Sequence, residues 1–155
     1  MTIKTEIHFA CKSVKLPKKT IQEAVSKIAL DYGWPNGEIS IAIVDDVEIH
    51  RVNREYLQHD YPTDVISFDT TERDELLEGE VIASGETAER VAAENGWKSS
   101  DELLLYIVHG MLHVVGLDDT TAKKAKEMRQ AERHYMEALL GQTPVCQTPV
   151  CGEDA

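Results

Sequence analysis

The sequence predicts an α+β fold. It is a single-domain α/β sandwich in which a mixed four-stranded sheet packs against a central buried helix, in the order βαβαββααα. Three observations lead there. Strand-like segments interleave with helix-period segments along the first half of the chain. Three helix-period segments then follow one another without an intervening strand, which departs from regular βαβ alternation. Finally, the run from Leu103 to Val115 is apolar on all sides, as expected of a helix enclosed by other elements.

Each element has its own signal. Ile3, Thr5, Ile7 and Phe9 recur at the two-residue period of a half-buried strand. Pro17 suits the opening of a helix whose apolar positions are Ile21, Ala24, Val25, Ile28 and Ala29, with Gly33 near its stop. Pro35-Asn36-Gly37 reads as a turn before a strand over Glu38–Val44. Asp45 and Glu48 have the spacing that caps a second helix, with Ile49, Val52 and Tyr56 on one face. Residues 60–63 (Asp-Tyr-Pro-Thr) break that helix. A short strand follows over Asp64–Phe68, then an acidic exposed loop over Thr70–Glu78 and a strand over Gly79–Ser84. Glu86–Glu94 forms a short helix stopped by Asn95-Gly96. Ser99 and Glu102 form a capping box ahead of the apolar run, and Thr121–Leu140 is a last helix with a largely polar face.

The totals set limits. A chain of 155 residues, 42% apolar, can bury a proper core. No segment is long and apolar enough to cross a bilayer, and the first residues lack the pattern of a signal peptide, so a cytoplasmic location is expected. The net charge of −12, from 28 acidic and 16 basic residues, opposes a broad grip on nucleic acid but leaves room for a local basic surface. The three cysteines show neither CxxC spacing nor a disulfide framework. Cys146 and Cys151 fall in a five-residue repeat, so the expected organisation is one domain over 1–141 and a repeated tail over 142–155.

The chemistry concentrates at His109-Gly110-Met111-Leu112-His113, continuing to Gly116, Asp118 and Asp119. Residues four apart share a helical face, so His109 and His113 can bind one metal ion from one side. Gly116 can end the helix in a left-handed conformation and turn the chain back. Either Asp118 or Asp119 can then supply a third ligand, leaving a fourth position for water in a catalytic site. In HExxH metalloproteases a glutamate follows the first histidine as general base. Gly110 stands there instead, which disfavours a zinc peptidase of that type.

The segment from His109 to Asp118 follows the pattern HGxLHxxGxD and resembles the signature of the YbeY endoribonucleases, also called rRNA maturation factors. Asn53-Arg54-Glu55-Tyr56 with Pro62–Phe68 matches a second motif of that family, and Gly79–Ser84 matches a third. The resemblance implies a single zinc ion per chain and cleavage of single-stranded RNA. It further implies a role in maturing the 3′ end of 16S rRNA and in ribosome quality control. The implied partners are single-stranded rRNA, the small ribosomal subunit and ribosome-associated proteins, with no membrane.

The implied metal ligands are His109, His113 and Asp119. Asp119 stands where the family usually has a third histidine, and a carboxylate there leaves the ion less positive and favours harder metals. Leu57 stands where many members carry an arginine, and Arg51, Arg54 and His59 are the nearby basic groups that could serve a phosphate instead. Thr63, Asp64 and Ser67 are candidates for lining a substrate groove, set against turn capping and strand-edge roles. A metal-activated water or the RNA 2′-hydroxyl would attack the phosphodiester, with Asp118 and Glu80 as outer carboxylate candidates. Two other readings stand beside this one. One is a ribosome-associated binding factor with a structural zinc. The other is a metal-dependent hydrolase acting on another substrate class.

Overall fold

The computed structural model describes residues 2–141. Strand β1 (Thr2–Phe9) leads through α1 (Lys18–Asp31) to β2 (Asn36–Val44), and then to α2 (Asp46–Leu57), β3 (Val65–Asp69) and β4 (Leu77–Ser84). Helices α3 (Gly85–Asn95), α4 (Ser99–Val114) and α5 (Ala122–Leu140) complete the chain. The expected order βαβαββααα is therefore the observed one. The repeated segment 142–155 lies outside the described residues.

The sheet runs β1-β2-β4-β3. β2 is parallel to both β1 and β4, whereas β3 is antiparallel to β4, so the sheet is mixed. Parallel neighbours need a crossover, and α1 supplies the one between β1 and β2. The alternation of each strand sorts its side chains between two faces. Ile39, Ile41 and Ile43 of β2, with Val81 and Ala83 of β4, join the main core beneath α1 and α4. Val44, Ile66 and Ile82 face the other way and pack with Ile49 and Val52 of α2.

α4 is enclosed as its composition requires. Leu103, Leu104, Ile107, Val108, Met111 and Leu112 are fully buried. Its approach to the sheet is very close: a Cβ added at Gly110 would sit 2.6 Å from Val81 Cγ1, and one at Gly79 would sit 2.7 Å from Val114 Cγ1. Two glycines, one on each element, thus set the helix–sheet distance.

Three local expectations are corrected. Asn36 and Gly37 are not a turn but the first residues of β2, paired with Thr2 and Ile3; the reversal lies just before them, where Gly33 has φ +89°. β4 begins at Leu77, not Gly79. Leu77 is buried, and Thr71 Oγ1 bonds both the backbone N–H and the carbonyl of Glu78, drawing the end of the acidic loop into the sheet. The capping box at α4 does not form: Lys98 is the N-cap, without a side-chain bond, and Ser99 is already helical. Glu102 turns inward instead and accepts from Trp97 Nε1 at 2.9 Å.

The Asp45 cap does form, accepting from the Glu48 N–H at 2.8 Å. Its neighbour Asp46 ties α2 to α3, accepting from Ser84 Oγ at 2.5 Å, Thr87 Oγ1 at 2.7 Å and Arg90 at 3.2 Å. Burial pushes the Asp46 carboxyl up, but the bonds from Ser84, Thr87 and Arg90 outweigh it and hold the group below the usual carboxylate range. Its stabilising contribution is therefore present above the unfolded carboxylate value near pH 4 and is lost as pH falls through the lower folded value. Asp46→Asn is expected to cost about 1–3 kcal/mol at neutral pH. The gap between parent and variant should narrow toward pH 2–3, as read by urea unfolding at both pH values.

Candidate metal centre

α4 carries His109 and His113 one turn apart on one face, with their Nε2 atoms 3.1 Å from each other. The helix ends because Gly116 takes φ +113°, a conformation open to glycine at little cost. The reversal is fixed by bonds from the Gly116 N–H to the His113 carbonyl and from the Leu117 N–H to the Leu112 carbonyl. It brings Asp119 back over the imidazoles. Asp119 Oδ2 lies 3.9 Å from His109 Nε2 and 3.9 Å from His113 Nε2.

The state of Asp119 is the informative feature. Its side chain is 5% exposed, and neither carboxylate oxygen has a hydrogen-bond partner among the described residues. A buried carboxylate without donors is strongly unfavourable unless a cation compensates it. Two nitrogens and an oxygen at zinc bond lengths in a tetrahedral arrangement would stand about 3.3 Å apart. The observed separations of 3.1, 3.9 and 3.9 Å bracket that value, so His109, His113 and Asp119 could hold a metal ion.

The choice between the two aspartates follows from their partners. Asp118 accepts from the Thr120 N–H, from Thr120 Oγ1 and from Lys124 Nζ. The Thr120 bonds hold its carboxyl below the usual range. Asp118 thus shapes the turn, while Asp119 faces the imidazoles.

A residue that sequence reasoning missed completes the group. Glu132 on α5 is buried, and its Oε2 lies 2.5 Å from His109 Nδ1. With the ring donating through Nδ1, Nε2 keeps its lone pair toward His113 and Asp119, the tautomer that a metal needs. The signal was present in the sequence: Met128, Glu132, Tyr135 and Met136 form the buried stripe of α5, and Glu132 is the one charged member of it. The His113 ring is kept neutral by its surroundings. Burial, and then the neighbouring His109, depress its pKa more than Asp119 raises it, so no proton need be displaced at neutral pH. His109 is 1% exposed and the His113 side chain 23%, which puts the open side of the group at His113.

The other candidates lie elsewhere. Glu80 is on the opposite face of the sheet from Val81 and α4. It lines a groove of about 710 Å³ beside α2, together with His8, Glu48, Arg51, Tyr56 and Phe68. Arg51 in that groove is engaged by Glu48 and Glu55, each at 2.6 Å, and the Glu48 bond foremost holds it more firmly cationic. Arg54 and Leu57 are exposed on α2, and His59 stacks on Tyr61 in the loop that follows. Asn53 anchors this loop by donating to the Tyr61 carbonyl at 2.8 Å. Thr63 and Asp64 build the start of β3: Thr63 Oγ1 donates to Asp64, which also accepts from the Val65 N–H. Asp64 adds to the burial that chiefly raises the pKa of Glu102 on the first turn of α4. Ser67 pairs with Val81 and shares the face that carries α4. Of the residues flagged in the sequence, the fold brings His109, His113 and Asp119 together, and adds Glu132.

Known proteins resemble this chain over most of its length. The family model described as Endoribonuclease YbeY matches residues 3–140. The endoribonuclease YbeY of Rhodopirellula baltica is 46% identical over 120 residues, a match covering 76% of this chain but 61% of the relative, which is the longer protein. That of Syntrophotalea carbinolica is 38% identical over 128 residues, covering 78% of this chain and 85% of the relative. That of Porphyromonas gingivalis is 35% identical, covering 86% and 90%. Among solved structures, the solution structure of TM1509 from Thermotoga maritima is similar with a TM-score of 0.65 at 27% identity, covering 88% of this chain and 89% of that one.

Proposed function

The chain belongs to the YbeY endoribonuclease family, and from that premise we propose that it is a zinc-dependent endoribonuclease that cuts single-stranded RNA. The reading extends to maturation of the 16S rRNA 3′ end and ribosome quality control, in the cytoplasm and on the small ribosomal subunit with its associated proteins. The observation that carries it is the buried Asp119 carboxylate, without a hydrogen-bond donor and turned toward two imidazoles.

His109 and His113 would hold the ion through Nε2 and Asp119 through Oδ2. When bound, zinc supplies Lewis acidity at a phosphoryl oxygen and strengthens a nearby water or 2′-hydroxyl as nucleophile at neutral pH. The chain's own residues do the rest. Glu132 keeps the His109 proton on Nδ1, and the apolar wall of α4 excludes water from behind the site. The partly exposed His113 marks the side from which a phosphodiester can approach. Three donors and an open side favour this reading over a closed structural zinc, which takes four protein ligands. Gly110 lies against Val81, so the position of the metalloprotease base faces the sheet.

The test is cleavage of a single-stranded ribosomal RNA fragment by the parent and by His113→Ala, with zinc and with chelator. Chelation should stop cleavage and zinc restore it. His113→Ala should be slower on the order of 100-fold or more, because Lewis-acid stabilisation is worth several kcal/mol. Equal cleavage in chelator, or by the variant, contradicts the reading.

A further inference from the structure

We propose that the exposed face of α5 carrying Lys126, Arg129 and Arg133 is a docking surface for the phosphate backbone of the single-stranded RNA; this rests on the RNA-cleaving reading above. The chain as a whole is acidic, with 28 carboxylates against 16 basic residues. Within residues 122–134, however, stand Lys123, Lys124, Lys126, Arg129 and Arg133, against only Glu127 and the inward-facing Glu132. This is where a locally positive field can form on a negatively charged molecule.

The spacing organises those charges. Positions 126, 129 and 133 are separated by three and then four residues, so they share one face of the helix. The stripe beside that face, Met128, Glu132, Tyr135 and Met136, is buried, and the Tyr135 hydroxyl donates to Asp31 at 2.9 Å to anchor the helix on the end of α1. All three basic residues are exposed, and none is in an ion pair among the described residues. Arg51, Arg90, Lys27 and Lys124, by contrast, are each paired with a carboxylate. The first acid on the same face, Glu137, comes one turn after Arg133. Lys126 to Arg133 spans about 10 Å of helix axis, enough to follow a strand across successive phosphates.

Position selects this surface over the other basic group. α5 begins three residues after Asp119, and its buried face reaches His109 through Glu132, so the stripe lies on the element that braces the metal ligands. Lys12, Lys15, Lys18 and Lys19 are also exposed, but they follow the C-terminal end of β1. The imidazole end of α4 packs at the opposite end of the sheet, where Val114 meets Gly79 near the start of β4, roughly the 26 Å length of a strand away.

The test compares the metal-loaded parent with Lys126→Gln/Arg129→Gln/Arg133→Gln and with the control Lys12→Gln/Lys15→Gln/Lys18→Gln, which loses the same charge. Binding of a fluorescent single-stranded 2′-O-methyl oligonucleotide is titrated over a range of salt concentrations, and KM and kcat are measured on RNA. Loss of three phosphate contacts should lower the slope of log K against log salt by about 2 and weaken binding on the order of 100-fold at 0.1 M salt. KM should rise with kcat unchanged, while the control stays near the parent. The assignment is overturned if the α5 variant binds as tightly as the parent, or if the control loses as much. A parent that binds no RNA at any salt overturns the RNA reading itself, and this surface with it.

Discussion

His109→Ala is expected to abolish metal binding and also to destabilise the metal-free fold by about 3–5 kcal/mol, more than His113→Ala does. The difference lies in what each deletion leaves behind. Removing His109 leaves the Glu132 carboxylate buried without the partner that now stands 2.5 Å away, and opens a void where a side chain 1% exposed had been. Leaving a buried charged partner uncompensated costs about that much. His113 is 23% exposed on its side chain, so water can reach the vacated space. Urea unfolding in chelator separates this effect from the stabilisation that metal gives by binding the native state. Equal destabilisation by the two variants would mean that Glu132 does not depend on His109.

Gly110→Ala is expected to cost about 1–3 kcal/mol, although alanine is the better helix former. The added methyl would stand 2.6 Å from Val81 Cγ1 and 3.1 Å from Val81 Cγ2, with Val65 Cγ2 at 3.4 Å, so α4 must lift from β4. That movement would carry His109 and His113 with it, and metal affinity should fall together with stability. Val81→Ala in the same background makes room for the methyl and should recover part of both. If Gly110→Ala alone were as stable as the parent, the close helix–sheet packing described here would be wrong.

Much of this architecture is legible in the chain because local period and burial agree. The alternation of β1, the apolar stripe of α1 and the long apolar run of α4 each specify their own surroundings. The places where reading failed are those where a distant partner decides. Asn36 and Gly37 look like a turn, but β1 supplies a parallel partner and the pair becomes strand. Ser99 and Glu102 have capping spacing, yet Glu102 finds the Trp97 indole and leaves the cap unmade.

The same division holds at the site. His109 and His113 follow from helical spacing alone. Spacing left Asp118 and Asp119 equivalent, and the fold separates them by binding Asp118 to Thr120 and Lys124 while Asp119 faces the imidazoles. Glu132 is 23 residues from His109 and becomes visible only when α5 packs against α4. Glu80, close to the motif in sequence pattern, is carried to the far face of the sheet by the two-residue alternation of β4.

The central claim is that His109, His113 and Asp119 form one metal site. The most direct test is zinc titration of the metal-free protein, with the bound ion counted by elemental analysis, for the parent and for Asp119→Ala. The parent should take up one ion per chain, and Asp119→Ala should bind it at least about tenfold more weakly while remaining folded. A parent that takes up no ion, or a variant that binds as tightly without its carboxylate, would contradict the site.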